Sequence, residues 1–354
     1  MAIGIVSAGT AGAFLFASGL LSPGRLGPAT IADALQANTG PVIPGFRRAH
    51  AKGLCVIGRF ESNGQAALLS KALVFRPGSV PVYGRLSTGG GNPFAPDGRV
   101  VFHAMALRFE LPDGSEWRTA MDDTPTFPVA TPADFLALQI ATTPNPATHK
   151  PDPAKLGPFL ATHPETRSFL DWMKQAPLPS SFANSPYNSI NAFHFIDAAA
   201  AVHVVRWSLL PDAPPGSVDK ADLKKLDPDF LFKEFLTRIG HAPQTWHLMI
   251  VLAGPDDVTD KATIAWPATD RMIDAGTLTL DRAEPEDRVP NGPQSCRDVN
   301  FDPLILPAGI AASNDPLLPA RSAAYAVSYE RRAVEGPRQS EMGKIALQAQ
   351  GAAP

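Results

Sequence analysis

Two residues able to handle a proton and to hold a metal stand far apart in this chain. His50 lies in Arg47-Arg48-Ala49-His50-Ala51-Lys52-Gly53, and Tyr325 in Arg321-Ser322-Ala323-Ala324-Tyr325. A neutral imidazole can take a proton from one oxygen of a bound reactant and return it to another. A phenol oxygen can ligate ferric iron once it is a phenolate. The free phenol pKa near 10 means that ligation at neutral pH needs a neighbouring cation. Arg321, one helical turn before Tyr325, can supply it through a charge-assisted hydrogen bond. Arg321, Tyr325, Ser328, Tyr329 and Arg332 repeat at helical spacing on one face. Alanines line the rest of that face, which allows close approach of a flat ligand.

Two further strings carry chemistry. Gly84-Arg85-Leu86-Ser87-Thr88-Gly89-Gly90-Gly91 is glycine-rich, but no Lys-Ser/Thr follows, and Asn92-Pro93 precludes a helix directly after it. The phosphate-loop and dinucleotide fingerprints therefore fail. Such glycines equally suit a backbone close to a bulky flat ligand, or a surface loop. Ser87 can bond a histidine nitrogen and set its tautomer. Asp122-Asp123-Thr124-Pro125 offers paired carboxylates, but no second pair or histidine cluster at metal-ligand spacing accompanies them.

The elements that hold these residues are legible in outline. Helices are expected over Thr30–Ala37, from Thr131 (an N-cap followed by Pro132 and Asp134), over Pro164–Gln175, over Asp219–Ile239 with Pro228 as a break or kink, and from about Pro316 to Val334, stopped by Gly336-Pro337. Strands are expected at Gly53–Phe60, Ala72–Phe75, Val100–Leu111, Glu116–Ala120, Ala200–Leu209, Trp246–Ala253 and Gly276–Arg282. Early strands followed by mixed helices and strands indicate one α+β domain around an antiparallel sheet or barrel.

Composition sets the bounds. The chain has 354 residues, 44% hydrophobic, with a net charge of −3. That suits a packed domain and gives no basic surface for nucleic acid. The 37 prolines are scattered and read as rigid loops. Of the two cysteines, Cys55 sits in the apolar run Leu54-Cys55-Val56-Ile57 and is expected to be a buried free thiol; a bond to Cys296, in a polar loop, is the disfavoured alternative. No CxxC or CxxCH occurs, which argues against a zinc ribbon and against covalent c-type haem attachment. Residues Met1 to Leu21 are apolar, with no Lys or Arg before Arg25. They suit an anchor, an export signal or an apolar arm packed on the body; a membrane-associated or exported segment is the favoured expectation.

In order and spacing these strings resemble the haem-dependent catalase family, and more closely its short branch, the catalase-related peroxidases. The resemblance runs from about residue 35 to 335. It implies an antiparallel eight-stranded β-barrel with surrounding helices, within a haem domain over 26–340, between an apolar segment at 1–25 and a tail at 341–354. It implies haem b (iron protoporphyrin IX) as cofactor, with His50 as the distal acid–base residue oriented by Ser87. Arg47, Arg85 and Arg332 would hold the haem propionates. Tyr325 would be the iron ligand and Arg321 its phenolate partner. Phe127 and Phe135 would face the haem and the channel.

Two departures bear on activity. The family's Asn-Asn-Thr-Pro string is Asp122-Asp123-Thr124-Pro125 here. An ionised Asp122 cannot donate to bound peroxide as an amide does. Gly89 stands where large catalases carry a bulky aliphatic residue, and is expected to leave the distal side open. The resemblance so read implies a peroxidase that reduces hydrogen peroxide or organic hydroperoxides through a ferryl intermediate, with weak or no catalase activity. Its partners would be peroxide and an electron donor without a sequence motif; a homo-oligomer is compatible with it. A hydroperoxide isomerase of the allene-oxide-synthase kind and a non-catalytic haem-binding protein are the alternatives. The N-terminus gives a periplasmic or membrane-associated location as the expectation, with a cytoplasmic one as the alternative.

Overall fold

The structure, a computed structural model, describes residues 26–335 apart from 101, 149, 220 and 287–295. The apolar N-terminal stretch, the Gly336-Pro337 stop and the C-terminal tail lie outside the described residues. Among those described, no helix is long and apolar enough to cross a membrane.

Strands β1 (Gly53–Ser62), β2 (Gly78–Thr88), β3 (His103–Glu110) and β4 (Glu116–Asp122) form an antiparallel meander. Strands β5 (Tyr187–Asn188), β6 (Phe193–Ile196), β7 (Val202–Pro211), β8 (Gln244–Leu252) and β9 (Met272–Glu284) follow. β4 pairs β5, β5 pairs β7, β7 pairs β8, β8 pairs β9, and β9 returns to β1. Eight strands thus close on themselves with no free edge. β6 and the short β10 (Ile310–Ala312) hang from β7 beside the barrel. Among the described residues six helices surround it: α1 Pro28–Thr39, α2 Pro132–Thr142, α3 Pro153–Thr162, α4 Thr166–Gln175, α5 Phe230–His241 and α6 Leu317–Glu335.

Aromatic residues fill the interior. Trp117, Trp207 and Trp246 are fully buried. Phe109 stacks on Trp117 at 4.7 Å between ring centroids, and Trp207 meets Trp117 edge-on at 5.1 Å. The indole N–H groups of Trp207 and Trp246 donate to Thr119 Oγ1 and to the Ser185 carbonyl, which satisfies the polar edge of each ring.

The two-residue period of the strands sorts the site from the core. Leu86, Met105 and Met121 point inward and are fully buried. Their neighbours form two rows on the outer face: Gly53–Ser87–Ala104–Asp122 and Cys55–Arg85–Ala106–Ala120. The functional strings of β2 and β4 therefore meet through strand register, although 35 residues separate Ser87 from Asp122.

Several sequence expectations change. Ala72–Phe75 is not a strand: Leu73–Phe75 makes one 3₁₀ turn that buries Val74 and Phe75. Gly84–Thr88 belongs to β2, and the loop begins only after Thr88. Asp219–Ile239 is helical only from Phe230, because Pro228 and the turns before it end at the Asp229 cap. Cys55 is not a free thiol: it is bonded to Cys296, with Cα atoms 5.3 Å apart. Within Leu54-Cys55-Val56, strand alternation sends Leu54 and Val56 into the barrel and Cys55 outward, where Val299 and Phe301 cover it.

One buried ion cluster ties β1 to the helices. Lys52 Nζ donates to Asp97 Oδ1 (2.6 Å), Asp229 Oδ1 (2.6 Å) and the Ala95 carbonyl (3.0 Å), while Asp97 Oδ2 accepts from the Leu231 amide (3.0 Å). Lys52 and Asp97 are almost wholly buried. Removing one partner of such a pair leaves a poorly compensated charge. Asp97→Ala is expected to cost on the order of 3–5 kcal/mol in denaturant unfolding; a loss below about 1 kcal/mol would contradict this reading.

Candidate active site

A cavity of about 750 Å³ lies between the outer face of β2–β4 and helix α6. His50, Ser87, Asp122, Arg47, Arg85, Phe127, Phe135, Arg321, Tyr325 and Arg332 all line it. On the helix, Ala320, Ala324 and Ser328 separate the larger side chains and leave a shallow trough.

His50 has φ +54°, a left-handed conformation that a residue with a Cβ adopts only when its surroundings enforce it. The enforcement is visible. Arg85 Nη1 donates to the His50 carbonyl (2.7 Å) and Nη2 to that of Ala51 (3.1 Å), while the Ala51 amide donates to Gly90 O (2.9 Å). A Cβ on Gly53 would collide with the Arg85 guanidinium, which explains the glycine that closes the first string. The ring nitrogen Nδ1 lies 3.4 Å from Ser87 Oγ, and Nε2 lies 3.9 Å from Asp122 Oδ1. If Nδ1–H donates to Ser87, the Nε2 lone pair faces Asp122. Burial, followed by the cations Arg85, Arg321 and Arg47, lowers the His50 pKa to about 3, so the ring is neutral at physiological pH. Burial, with Asp123 alongside, raises Asp122 to about 7 against the pull of Arg321.

The opposite wall is α6. Arg321 Nη1 donates to Asn191 Oδ1, and Nη2 to the Ala120 carbonyl (3.0 Å) and Tyr325 Oη (3.4 Å). Asn191 Nδ2 in turn donates to Asp315 Oδ2 (2.8 Å), and Asp315 Oδ1 accepts from the Leu317 amide at the start of the helix. Burial opposes the charge of Arg321, but Tyr325, Asp122 and Asp315 outweigh it and raise its pKa. Asn191 and Asp315 carry no motif, and sequence reasoning missed them. The only signal was an Asp-Pro just before the helix, an N-cap pattern.

At one end, Arg47, Arg85 and Arg332 converge on a single buried carboxylate, Glu286. Glu286 Oε1 accepts from Arg85 Nε (2.6 Å) and Arg47 Nη1 (3.0 Å). These arginines, Arg85 foremost, outweigh the burial that opposes its charge and lower its pKa. Arg47 Nη2 donates to the carbonyls of Cys296 (2.9 Å), Arg297 (3.3 Å) and Val299 (3.2 Å). Burial and mutual repulsion lower the pKa of Arg47, and burial that of Arg332. Arg332 Nη2 is buried without a hydrogen-bond partner among the described residues. Two guanidinium groups bonded to one carboxylate, with a third beside them whose donor is left over, fit a dianionic ligand. Glu286 was also missed, because it sits in a Glu-Pro-Glu loop without a pattern.

Gly89 does not open the distal side. A Cβ there would run into the ring of Phe102, which lines the cavity and meets the His50 ring edge-on at 5.8 Å. Phe102 occupies the space that the glycine vacates. Phe127 and Phe135 pack at 5.5 Å, and with Leu138, Phe169 and Leu170 they make the rest of that wall apolar.

A barrel of this closure, with a cavity between its outer face and a C-terminal helix, is the fold of catalases. A bacterial catalase structure superimposes with a TM-score of 0.72 at 21% identity, over 85% of this chain and 60% of that one. A fungal catalase gives 0.72 at 20% identity, over 87% and 63%; the chain thus spans about three fifths of these larger proteins. A sequence profile described as Catalase matches residues 23–342, and the chain belongs to the catalase family. It is 35% identical over 305 residues to a catalase-related peroxidase of Synechococcus elongatus, covering 86% of this chain and 88% of that protein. It is 33% identical over 315 residues to one of Mycolicibacterium paratuberculosis, covering 87% and 96%.

The Gly89–Phe102 contact makes a direct prediction. Gly89→Val overpacks the site and is expected to destabilise by about 1–3 kcal/mol in denaturant unfolding. Adding Phe102→Ala should return part of that loss; strict additivity of the two substitutions would contradict the contact.

Proposed function

We propose that this protein is a haem peroxidase that reduces hydrogen peroxide or organic hydroperoxides at the expense of an electron donor, with weak or no catalase turnover. The observation that carries this reading is a cavity with opposed walls: neutral His50 beside Asp122 on one side, the Arg321–Tyr325 pair on the other, and a surplus of buried arginine at one end. The residues fit haem b, held without covalent attachment. Tyr325 would supply the iron ligand, and Arg47, Arg85 and Arg332 would meet the two propionates, giving the orphaned Arg332 Nη2 a partner. Bound haem supplies the redox-active iron at which a peroxide O–O bond is cleaved and to which a donor returns two electrons.

The protein's own part is proton handling and positioning. His50 Nε2 takes the proton from one peroxide oxygen and delivers it to the other, so that water or an alcohol leaves. Ser87 holds the tautomer that keeps Nε2 free. Arg321, kept charged by its acidic neighbours, donates to the Tyr325 oxygen that would ligate the iron. Asp122 donates to peroxide only while protonated; an amide would do so at any pH. That difference supports weak dismutation. The apolar wall of Phe127, Phe135, Leu138 and Phe169 supports access for an organic hydroperoxide. The disulfide supports an oxidising compartment and so the exported location.

Three outcomes are expected. His50→Ala keeps its haem and loses about 10²–10⁴-fold in the rate of reaction with peroxide, followed by stopped-flow. An unchanged rate would refute the assignment. Asp122 is neutral below its pKa of about 7 and ionised above it, so the wild-type rate should fall as pH rises through about 7, and Asp122→Asn should flatten the profile. A wild-type profile level between pH 5 and 9 would contradict the role given to Asp122. Tyr325→Phe should lower haem content after purification and abolish the tyrosinate spectrum; an unaltered spectrum would rule out Tyr325 as ligand.

A further inference from the structure

We propose that the Cys55–Cys296 disulfide is a positioning device for the arginine end of the cavity. It fixes the segment whose carbonyls hold Arg47 in place for a ligand's carboxylates. The inference rests on the reading that Arg47, Arg85 and Arg332 hold the haem propionates.

Cys55 is fully buried on β1, opposite Arg85 in strand register. Cys296 lies in an irregular segment, and its amide donates to Cys55 Sγ at 3.2 Å. The Cys296 Sγ atom lies 3.8 Å from Glu286 Oε1, the carboxylate that Arg85 and Arg47 share. Among the described residues, the carbonyls that accept from Arg47 Nη2 belong to this segment, at residues 296, 297 and 299. Arg47 itself stands in a loop, outside any helix or strand. Neither the guanidinium nor its acceptors are therefore fixed by regular structure.

The disulfide is a covalent crosslink between this segment and β1, additional to the main chain that arrives from β9. Hydrogen bonds from β4 hold the chain downstream: Arg118 Nη1 donates to the Asn300 carbonyl (2.6 Å), and the Arg118 amide to Ile305 O (2.9 Å). Upstream of Asn300, Val299 packs against the disulfide itself. Arg47 is also repelled by Arg332 and Arg85. If the carbonyls withdraw, the described partners left to the guanidinium are one oxygen of Glu286 and the longer-range attraction of Asp298.

The test compares wild-type holoprotein with Cys296→Ser, Cys55→Ser, Arg47→Lys and the double variant Arg47→Lys/Cys296→Ser. Two quantities are read: the rate of haem transfer to excess apomyoglobin, and the unfolding midpoint of each apoprotein. Loss of one or two charge-assisted hydrogen bonds corresponds to a rise in transfer rate of about ten- to hundredfold. Each cysteine variant should show that rise. Arg47→Lys should show a similar one with the disulfide intact, and the double variant should add little to either. A merely structural staple gives another result: lower apoprotein midpoints, with transfer rates unchanged or multiplying independently of Arg47. That result overturns the proposal, as does finding two free thiols in the unreduced, denatured wild type.

If the serine variants fail to fold, the native bond can be cut in the folded holoprotein with a water-soluble phosphine. Phosphine, disulfide and water give phosphine oxide and two thiols. Haem transfer should accelerate equally, and an unchanged rate overturns the proposal. A wild-type protein that never takes up haem contradicts the underlying reading instead.

Discussion

The site depends on one buried guanidinium. Arg85 leaves β2 on the barrel's outer face and spends its donors on three partners: the Glu286 carboxylate and the carbonyls of His50 and Ala51. The two carbonyl bonds hold His50 in a backbone conformation that its Cβ resists, which aims the imidazole between Ser87 and Asp122. The carboxylate bond brings in Arg47. Because Arg332 joins them, three arginines face one buried carboxylate, Glu286, and the more exposed Asp298, and among the described residues the end of the cavity is short of negative charge. One residue thus sets the orientation of the proton-handling side chain and the charge demand of the ligand site. The cost of burying it explains why its surroundings are so fully committed, down to the missing side chain at Gly53.

The two walls come from opposite ends of the chain, and ion pairs tie the N-terminal segments to α6. Arg48, beside the His50 loop, pairs with Glu335 at the last turn of α6, and Arg331 pairs with Asp33 of α1 at 2.7 Å. Glu335 also accepts from the Gly45 amide. On the helix side, Asp315 plays two parts with its two oxygens. One caps α6, and the other orients Asn191, which holds Arg321 against Tyr325. The phenol's electrostatic partner is therefore set by the start of the helix that carries the phenol.

Much of this was legible because it is local. The Thr131-Pro-Ala-Asp134 cap, the face repeating from Arg321 to Arg332, and the strands around Pro112-Asp113-Gly114 follow from spacing alone. The resemblance carried the barrel and the set of cavity residues. What escaped depends on distant partners. Cys55 looked like core because its neighbours are apolar, but alternation turns it outward to a loop 241 residues away. Gly89 looked like an opening because Phe102 fills it from another strand's approach. The glycine-rich string hid half of β2, since Gly84, Gly89 and Gly91 are small to admit a neighbour and only Gly90 of the four takes a left-handed turn conformation. Glu286 and Asn191 have no pattern, and Asp315 only that of a helix cap; their part in the site is recognised only by what they touch.

The most direct test of the account is titration of purified apoprotein with haemin, followed by absorption spectroscopy of the complex. The account predicts saturation at one haem per chain and a high-spin ferric spectrum characteristic of tyrosinate ligation. Absence of stoichiometric binding, or a spectrum of histidine or thiolate ligation, would contradict it.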